Sequence, residues 1–231
     1  NRQPAIERVF SFLKGAIMAA VPTGTLFSVA TTFGSAITVT AVTNANPAVC
    51  TATAHGLSNG DVIEVTSGWG RLNKRVFEVS GVTTNTFELE GMDTSSTSFF
   101  PAGTGTGTVR EVTAWTQLTK VMNPSTQGGD PKTVNYKFVE SDVEYSINDG
   151  FTATSYTLEF DDDDTTAGYT AMRTLTDAQT NTVMKMLMRS GAIVYLPCTL
   201  AMNDVPRLQD GQINRISAQF AGVNRHTRYA A

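Results

Sequence analysis

Residues 46–79 read NPAVCTATAHGLSNGDVIEVTSGWGRLNKRVFEV. The stretch gathers Cys50, His55, Trp69 and the glycines 56, 60, 68 and 70. Such a concentration of special residues fits an active site, and it fits turns in a small β-structure equally. The pattern between them decides. In DVIEVTS (61–67), Val62, Glu64 and Thr66 alternate with Ile63 and Val65, the period of two that a strand requires. Before it, residues 55–61 hold Asn59-Gly60, a pair suited to positive φ, and after it Gly68-Trp69-Gly70 marks a second turn.

The same texture runs outward from residue 37 to residue 110. AITVTAVT is one strand, residues 44–47 a turn, and AVCTATA a second strand. RVFEVSGV and NTFELEG follow, joined near Asn85, with Phe77, Val79, Phe87 and Leu89 as core. PAGTGTGTVREVT closes the unit. No helical period fits, so residues 37–110 read as an inserted all-β module, close to the smallest size that folds alone.

The flanks differ. Residues 1–20 fit an amphipathic helical arm, with Ile6, Val9, Phe10, Leu13 and Ile17 near helical spacing. Its apolar run is too short and too interrupted by Glu7 and Lys14 for a signal peptide, and Met18 reads as a natural start that makes residues 1–17 an upstream extension. TLFSVATTF (25–33) and AWTQLTKV are strands, and NPSTQGGDP (123–131) is a loop by its turn residues. KTVNYKFVESDVEYSIND starts as a strand and turns acidic. FTATSYTLEF alternates, with Tyr156, Leu158 and Phe160 on the buried face. DDDDTTAGYTAMRTLTDAQ is a helix whose aspartates complement its N-terminus, with an apolar stripe of Tyr169, Met172 and Leu175. A hairpin turning at Arg189-Ser190-Gly191 and one long final strand, QINRISAQFAGVNRHTRY, complete the chain. The organisation is an arm (1–20), a core of residues 21–36 and 111–231, and the module 37–110 between the two core segments.

Chemistry is sparse. Charged residues are 16% of the 231, below the usual ~25%, and the net charge of −4 does not suit a basic nucleic-acid binder. No membrane-spanning run is present. Cys50 and Cys198 read as small buried apolar residues, not as half of a zinc site. His55 sits in a turn, and His226 stands between arginines with no orienting carboxylate. GTGTGT (103–108) precedes a strand, not the helix that a phosphate loop needs. Asp161, Asp162, Asp163 and Asp164 lack the spacing of a calcium loop. No catalytic residue, cofactor or metal ligand is assigned. The charge is segregated: residues 140–177 hold ten acids and only Arg173, whereas residues 207–231 hold four arginines and only Asp210. Unlike surfaces on one chain suit head-to-tail assembly, and they equally suit two segments that neighbour each other within one subunit.

The order VPTGTLFSVATTF, a β-insert, WTQLTKV, an acidic connector, SYTLEFDDDD, a helix and LAMNDVPRLQDGQINRISAQFAGVNRHTRYA resembles tail tube proteins of long-tailed bacteriophages, over nearly the whole chain from Val21. The insert, through VCTATAHGLSNGDVIEVTSGWGRLNKRVFEVSGVTTNTFELEGMD, resembles the small phage β-module named after the first catalytic-cysteine half-domain of ubiquitin-activating enzymes. The resemblance implies a mainly β protein: a tail-tube-like sandwich or barrel with one flanking helix plus the inserted all-β domain. It implies a structural virion protein, not an enzyme. Hexameric rings would stack into a tube with other tail proteins, and double-stranded DNA would pass through without specific binding. The protein would be made in the host cytoplasm, would reside in the virion tail and would not insert into membrane. Six copies carry 6 × −4 = −24, which favours sliding over sticking for phosphates. Assembly candidates are Glu140, Asp142, Glu144 and Asp149 in the connector and Arg215, Arg225 and Arg228 near the C-terminus. Two alternatives compete. One is another tail component (terminator, baseplate or decoration protein) whose module binds a host-surface glycan, with Trp69 as an exposed contact. The other, a glycan hydrolase, needs two facing carboxylates, and no pair of acids suggests itself.

Overall fold

The computed structural model describes residues 22–231, so the expected arm at 1–20 lies outside the described residues. Within them, sixteen strands and one helix follow in chain order. The module strands are β2 (Ile37–Val39), β3 (Ala41–Val42), β4 (Ala48–Thr51), β5 (Val62–Ser67), β6 (Val76–Ser80) and β7 (Thr86–Leu89). The rest comprises β1 (Leu26–Phe33), β8 (Gly107–Leu118), β9 (Val121–Gln127), β10 (Pro131–Tyr136), β11 (Tyr145–Phe151), β12 (Ser155–Asp161), α1 (Ala167–Ala178), β13 (Asn181–Leu187), β14 (Ile193–Arg207), β15 (Arg215–Gly222) and β16 (Thr227–Tyr229). All but β10 and β11 join one curled antiparallel sheet, ordered β3-β4-β7-β6-β5-β8-β1-β13-β14-β15-β12-β9, with β2 and β16 off this path. The mainly β expectation with one flanking helix holds.

The long strand β8 organises the sheet. Along its second half β1 pairs with it, from Phe27↔Leu118 to Phe33↔Val112. Along its first half β2 continues on the same side, Ile37↔Val109 to Val39↔Gly107, after the short link 34–36. On the other side β5 pairs from Ile63↔Glu111 to Ser67↔Gly107. The link at 34–36 separates β1 from β2, and β8 runs without a break through residue 110.

Three apolar clusters fill the fold. One lies within the module and includes Trp69, Leu72, Phe77 and Phe87. A second lies between the sheet and α1 and includes Leu118, Leu158, Met172 and Phe220. The third joins Val62 and Val76 of the module to Ala30, Val112, Val183 and Tyr195. It explains why β5 is buried on both faces despite its alternating sequence. Val62, Ile63, Glu64 and Val65 are all buried, and Glu64 is paired with Arg110 of β8. The Arg110 guanidinium also lies 3.9 Å from the Phe33 ring centroid.

Polar contacts close the same seam. Tyr195 Oη donates to Glu78 Oε1 (2.8 Å), and the Glu78 amide donates to Tyr229 Oη (2.9 Å). Asn224 Nδ2 donates to the Asn73 carbonyl (2.6 Å).

The special residues of 46–79 have structural work. Trp69 is 2% exposed, so it offers no stacking face, and that expectation is corrected. Its indole N–H donates to the Pro101 carbonyl (2.9 Å) and Thr104 Oγ1 (3.0 Å), and its ring meets Phe100 edge-on at 5.2 Å. Gly105 packs on that ring: a Cβ there would fall 2.8 Å from the indole. The Gly-Thr repeat thus closes over Trp69. His55 Nδ1 accepts from the Leu57 amide (3.1 Å), which leaves Nε2 to donate to the Thr86 carbonyl (3.3 Å). Both cysteines are free and buried, and burial pushes both thiols up to about 12.

Several element boundaries differ from the sequence reading. AITVTAVT breaks at Thr40, because Val39 pairs with β8 while Ala41 pairs with β4. AWTQLTKV divides at Lys120, whose φ of 57° turns the chain into β9. Most of 123–131 is strand, not loop: β9 pairs only with β12, and Pro124 sits on this edge strand beside a register shift, where a missing N–H is tolerated. Thr166, not an aspartate, caps α1 through its side chain, and the first turn holds no acid. The final strand breaks after Gly222, and β16 returns to pair with the start of β14.

Arg110→Leu would leave the Glu64 carboxylate buried without its cation. It should lower stability by about 2–3 kcal/mol, less than for a fully buried pair because Arg110 reaches water. The double change to leucine at both positions should recover most of the loss in urea unfolding.

Candidate assembly interface

Strands β10 and β11 leave the main sheet and pair only with each other. The register sets Val134 opposite Ile147 and Tyr136 opposite Tyr145, so these four side chains share one face. Thr133 opposite Asn148 and Asn135 opposite Ser146 make the other face polar. The ribbon is therefore amphipathic, and its apolar face is uncovered. Val134 is 45% exposed and Ile147 55%, which is the reverse of what water favours. Tyr136 and Tyr145 stack at 5.5 Å, and Phe138 packs edge-on against Tyr136 at 5.4 Å. Beyond them the tip, residues 137–144, exposes Phe138, Val139 and Val143. A two-stranded ribbon with no covered face is marginal in water, and a contiguous exposed apolar face marks a contact surface.

The structure places the expected acidic contacts unequally. Glu140, Asp142 and Glu144 are gathered, exposed, at the ribbon tip. Asp149 lies nearer the base and pairs with Lys132 at 2.8 Å. Arg215 is engaged within the chain: it and Arg207 each lie 3.3 Å from a Glu159 oxygen. Asn123 Nδ2 donates to the same carboxylate at 2.8 Å, and these donors hold Glu159 below the usual range. Part of the segregated charge thus meets inside one subunit. Arg225 sits with its guanidinium 4.9 Å from the Phe151 ring at the ribbon base, and Arg228 is exposed in β16, away from the tip. Partial burial and then Arg225, Arg75 and Arg228 lower the pKa of neighbouring His226.

The aspartate run is likewise tied up locally. Lys120 Nζ lies 3.2 Å from Asp161 and 2.6 Å from Asp163. Asp163 also accepts from the Thr165 amide and hydroxyl.

The apolar ribbon face is what the sequence reading missed. Its signal is the alternation in TVNY and YSIN, where Val134, Tyr136, Tyr145 and Ile147 occupy every second position. A second exposed apolar group, Val205, Leu208 and Ile213, lies at the far end of the β14–β15 hairpin.

The family model described as phage tail tube protein, TTP, matches residues 67–231, well over half of the chain. The chain belongs to the phage tail tube protein family. Its role is accordingly that of a structural, non-enzymatic component of the virion tail. Among solved structures, a chain from the tail of an empty GTA particle, determined by helical refinement with C6 symmetry, is similar. That likeness has 11% identity and a TM-score of 0.40, over 50% of this chain and 87% of that one. No curated protein matches. Among the described residues, no helix of this tail tube protein is long and apolar enough to cross a membrane.

Hydrogen bonds from Lys120 and Thr165 hold the Asp163 carboxyl down at about 2. Its pairing is complete above 3.8, the ordinary value, and is lost as pH falls through about 2. An NMR titration should show that midpoint, and Lys120→Met should return it towards the ordinary range.

Proposed function

We propose that the chain self-associates into hexameric rings that stack into the tail tube, and that the β10–β11 ribbon is its principal assembly contact. The supporting observation is the ribbon's uncovered apolar face, carried by a chain of the tail tube family. A subunit that burial in a neighbour completes would carry such a face, because water alone gives it nothing to pack against. The tip acids steer the encounter, while the apolar face supplies the holding area. Double-stranded DNA would pass through the tube unbound, consistent with a net charge of −4 per copy. Residues 37–110 would form a module resembling the phage β-module noted above, inserted into a core of residues 21–36 and 111–231 and docked against it through Glu78 and Asn73.

Purified protein should form six-fold rings or tubes under negative-stain microscopy. A variant with Val134→Asp and Ile147→Asp should remain monomeric in sedimentation while melting within a degree or two of the parent, because both positions are exposed. Unchanged tube formation by that variant would remove the ribbon from the interface. A parent protein that stays monomeric at high concentration would overturn the tube reading itself.

A further inference from the structure

A groove of about 480 Å³ lies between the module and the base of the β10–β11 ribbon. Arg71, Arg75 and Arg225 line it, together with Phe99, Phe151 and Asp93. The cations are held over aromatic faces: Arg71 lies 3.5 Å from the Phe99 ring centroid and Arg225 4.9 Å from that of Phe151. Arg75 reaches Thr227 Oγ1 and Met92 Sδ, each at 3.3 Å, and its buried Nε has no partner among the described residues. None of the three guanidiniums has an ion pair among those residues. Asp93, the one acid of the lining, is engaged by the Ser95 amide at 2.8 Å. Three clustered, unpaired arginines beside apolar walls make a receptor for carboxylates carried next to apolar side chains.

We propose that this groove receives the ribbon tip, residues 137–144, of a second copy of the chain. This rests on the tube reading above and names where the ribbon lands. The tip offers the matching chemistry, with Glu140, Asp142 and Glu144 interleaved with exposed Phe138, Val139 and Val143. The groove cannot take its own tip. Phe151 at the ribbon base forms part of its wall, and six paired residues hold the tip about 20 Å away. Residues 1–21 are the wrong occupant by charge, because Arg2, Arg8 and Lys14 outnumber Glu7. Tip and groove are different surfaces of one subunit, so the contact is head-to-tail and each docked copy presents a further tip, as rings and stacks require.

Charge reversal on the full chain tests the pairing. One variant carries Arg71→Glu and Arg225→Glu; the other carries Glu140→Lys, Asp142→Lys and Glu144→Lys. Arg75 is left intact because it also holds Met92 and Thr227. Each variant alone should need at least a tenfold higher concentration to polymerise in sedimentation and microscopy, with melting unchanged. An equimolar mixture should polymerise near the parent's concentration, because each groove then meets a tip of opposite charge. Parent-like polymerisation of either variant alone overturns the proposal, as does a mixture that fails while both components are folded. Loss in the groove variant alone means another segment or another tail protein fills the groove, which also overturns it. These results concern the groove only; a parent protein that does not polymerise is the separate failure of the tube reading.

Discussion

The fold depends on one two-stranded track. β1 and β2 run along one side of β8 through both halves of the molecule, interrupted only at 34–36. Because β8 is continuous from Gly107 to Leu118, a movement of its first half is transmitted to its second. The segment carrying β2–β7 is therefore joined through β8 to the same sheet that β1, β13 and β14 continue. Around that strand, the third apolar cluster and the hydrogen bonds from Tyr195 to Glu78 and from Asn224 to Asn73 remove the freedom a loosely tethered insert would have. The buried Glu64 carboxylate is costly unless the Arg110 cation opposite it is in place, so the pair favours the observed β5–β8 register over a slipped one.

Against a body packed in this way, the β10–β11 ribbon stands out. Most large apolar side chains are buried in the three clusters, yet the β10–β11 ribbon exposes Val134, Tyr136, Tyr145 and Ile147 on one face. Among the described residues, little rewards that arrangement beyond the stacking of Tyr136 on Tyr145 and the packing of Phe138 against both. Its contribution comes when a second surface covers it. In the proposed assembly, affinity would come from apolar area, and orientation from the charges at the tip and in the arginine-lined groove. That division would let a chain with few charged residues assemble directionally.

Much of this was legible in the sequence. The module's strands and turns follow from local alternation and from glycine placement, and its core residues Phe77, Val79, Phe87 and Leu89 are buried as the pattern requires. The apolar stripe of α1 and the buried face of β12 were equally readable. What was not legible is non-local. Nothing in GTGTGTVREVTAW announces that one strand serves both halves, because pairing with β1, β2 and β5 is decided by distant residues. Asn123 and Pro124 read as loop because turn propensity cannot register an edge position beside a register shift. Acids drew attention to 140–149, and the alternation beside them, which carries the apolar face, was weaker than the charge signal. Of the groove arginines, Arg71 and Arg75 are near neighbours in sequence, but Arg225 is distant and stands beside them next to the Asn224–Asn73 hydrogen bond.

Hydrogen exchange on the free subunit and on the assembled form tests the account most directly. The account predicts that the amides of β8 are strongly protected in both. Those of the tip (137–144) and the flanking ribbon should exchange quickly in the subunit and slow by at least tenfold on assembly. Equal exchange of ribbon and tip in the two states would contradict it, because the uncovered apolar face would then still be uncovered in the assembled form.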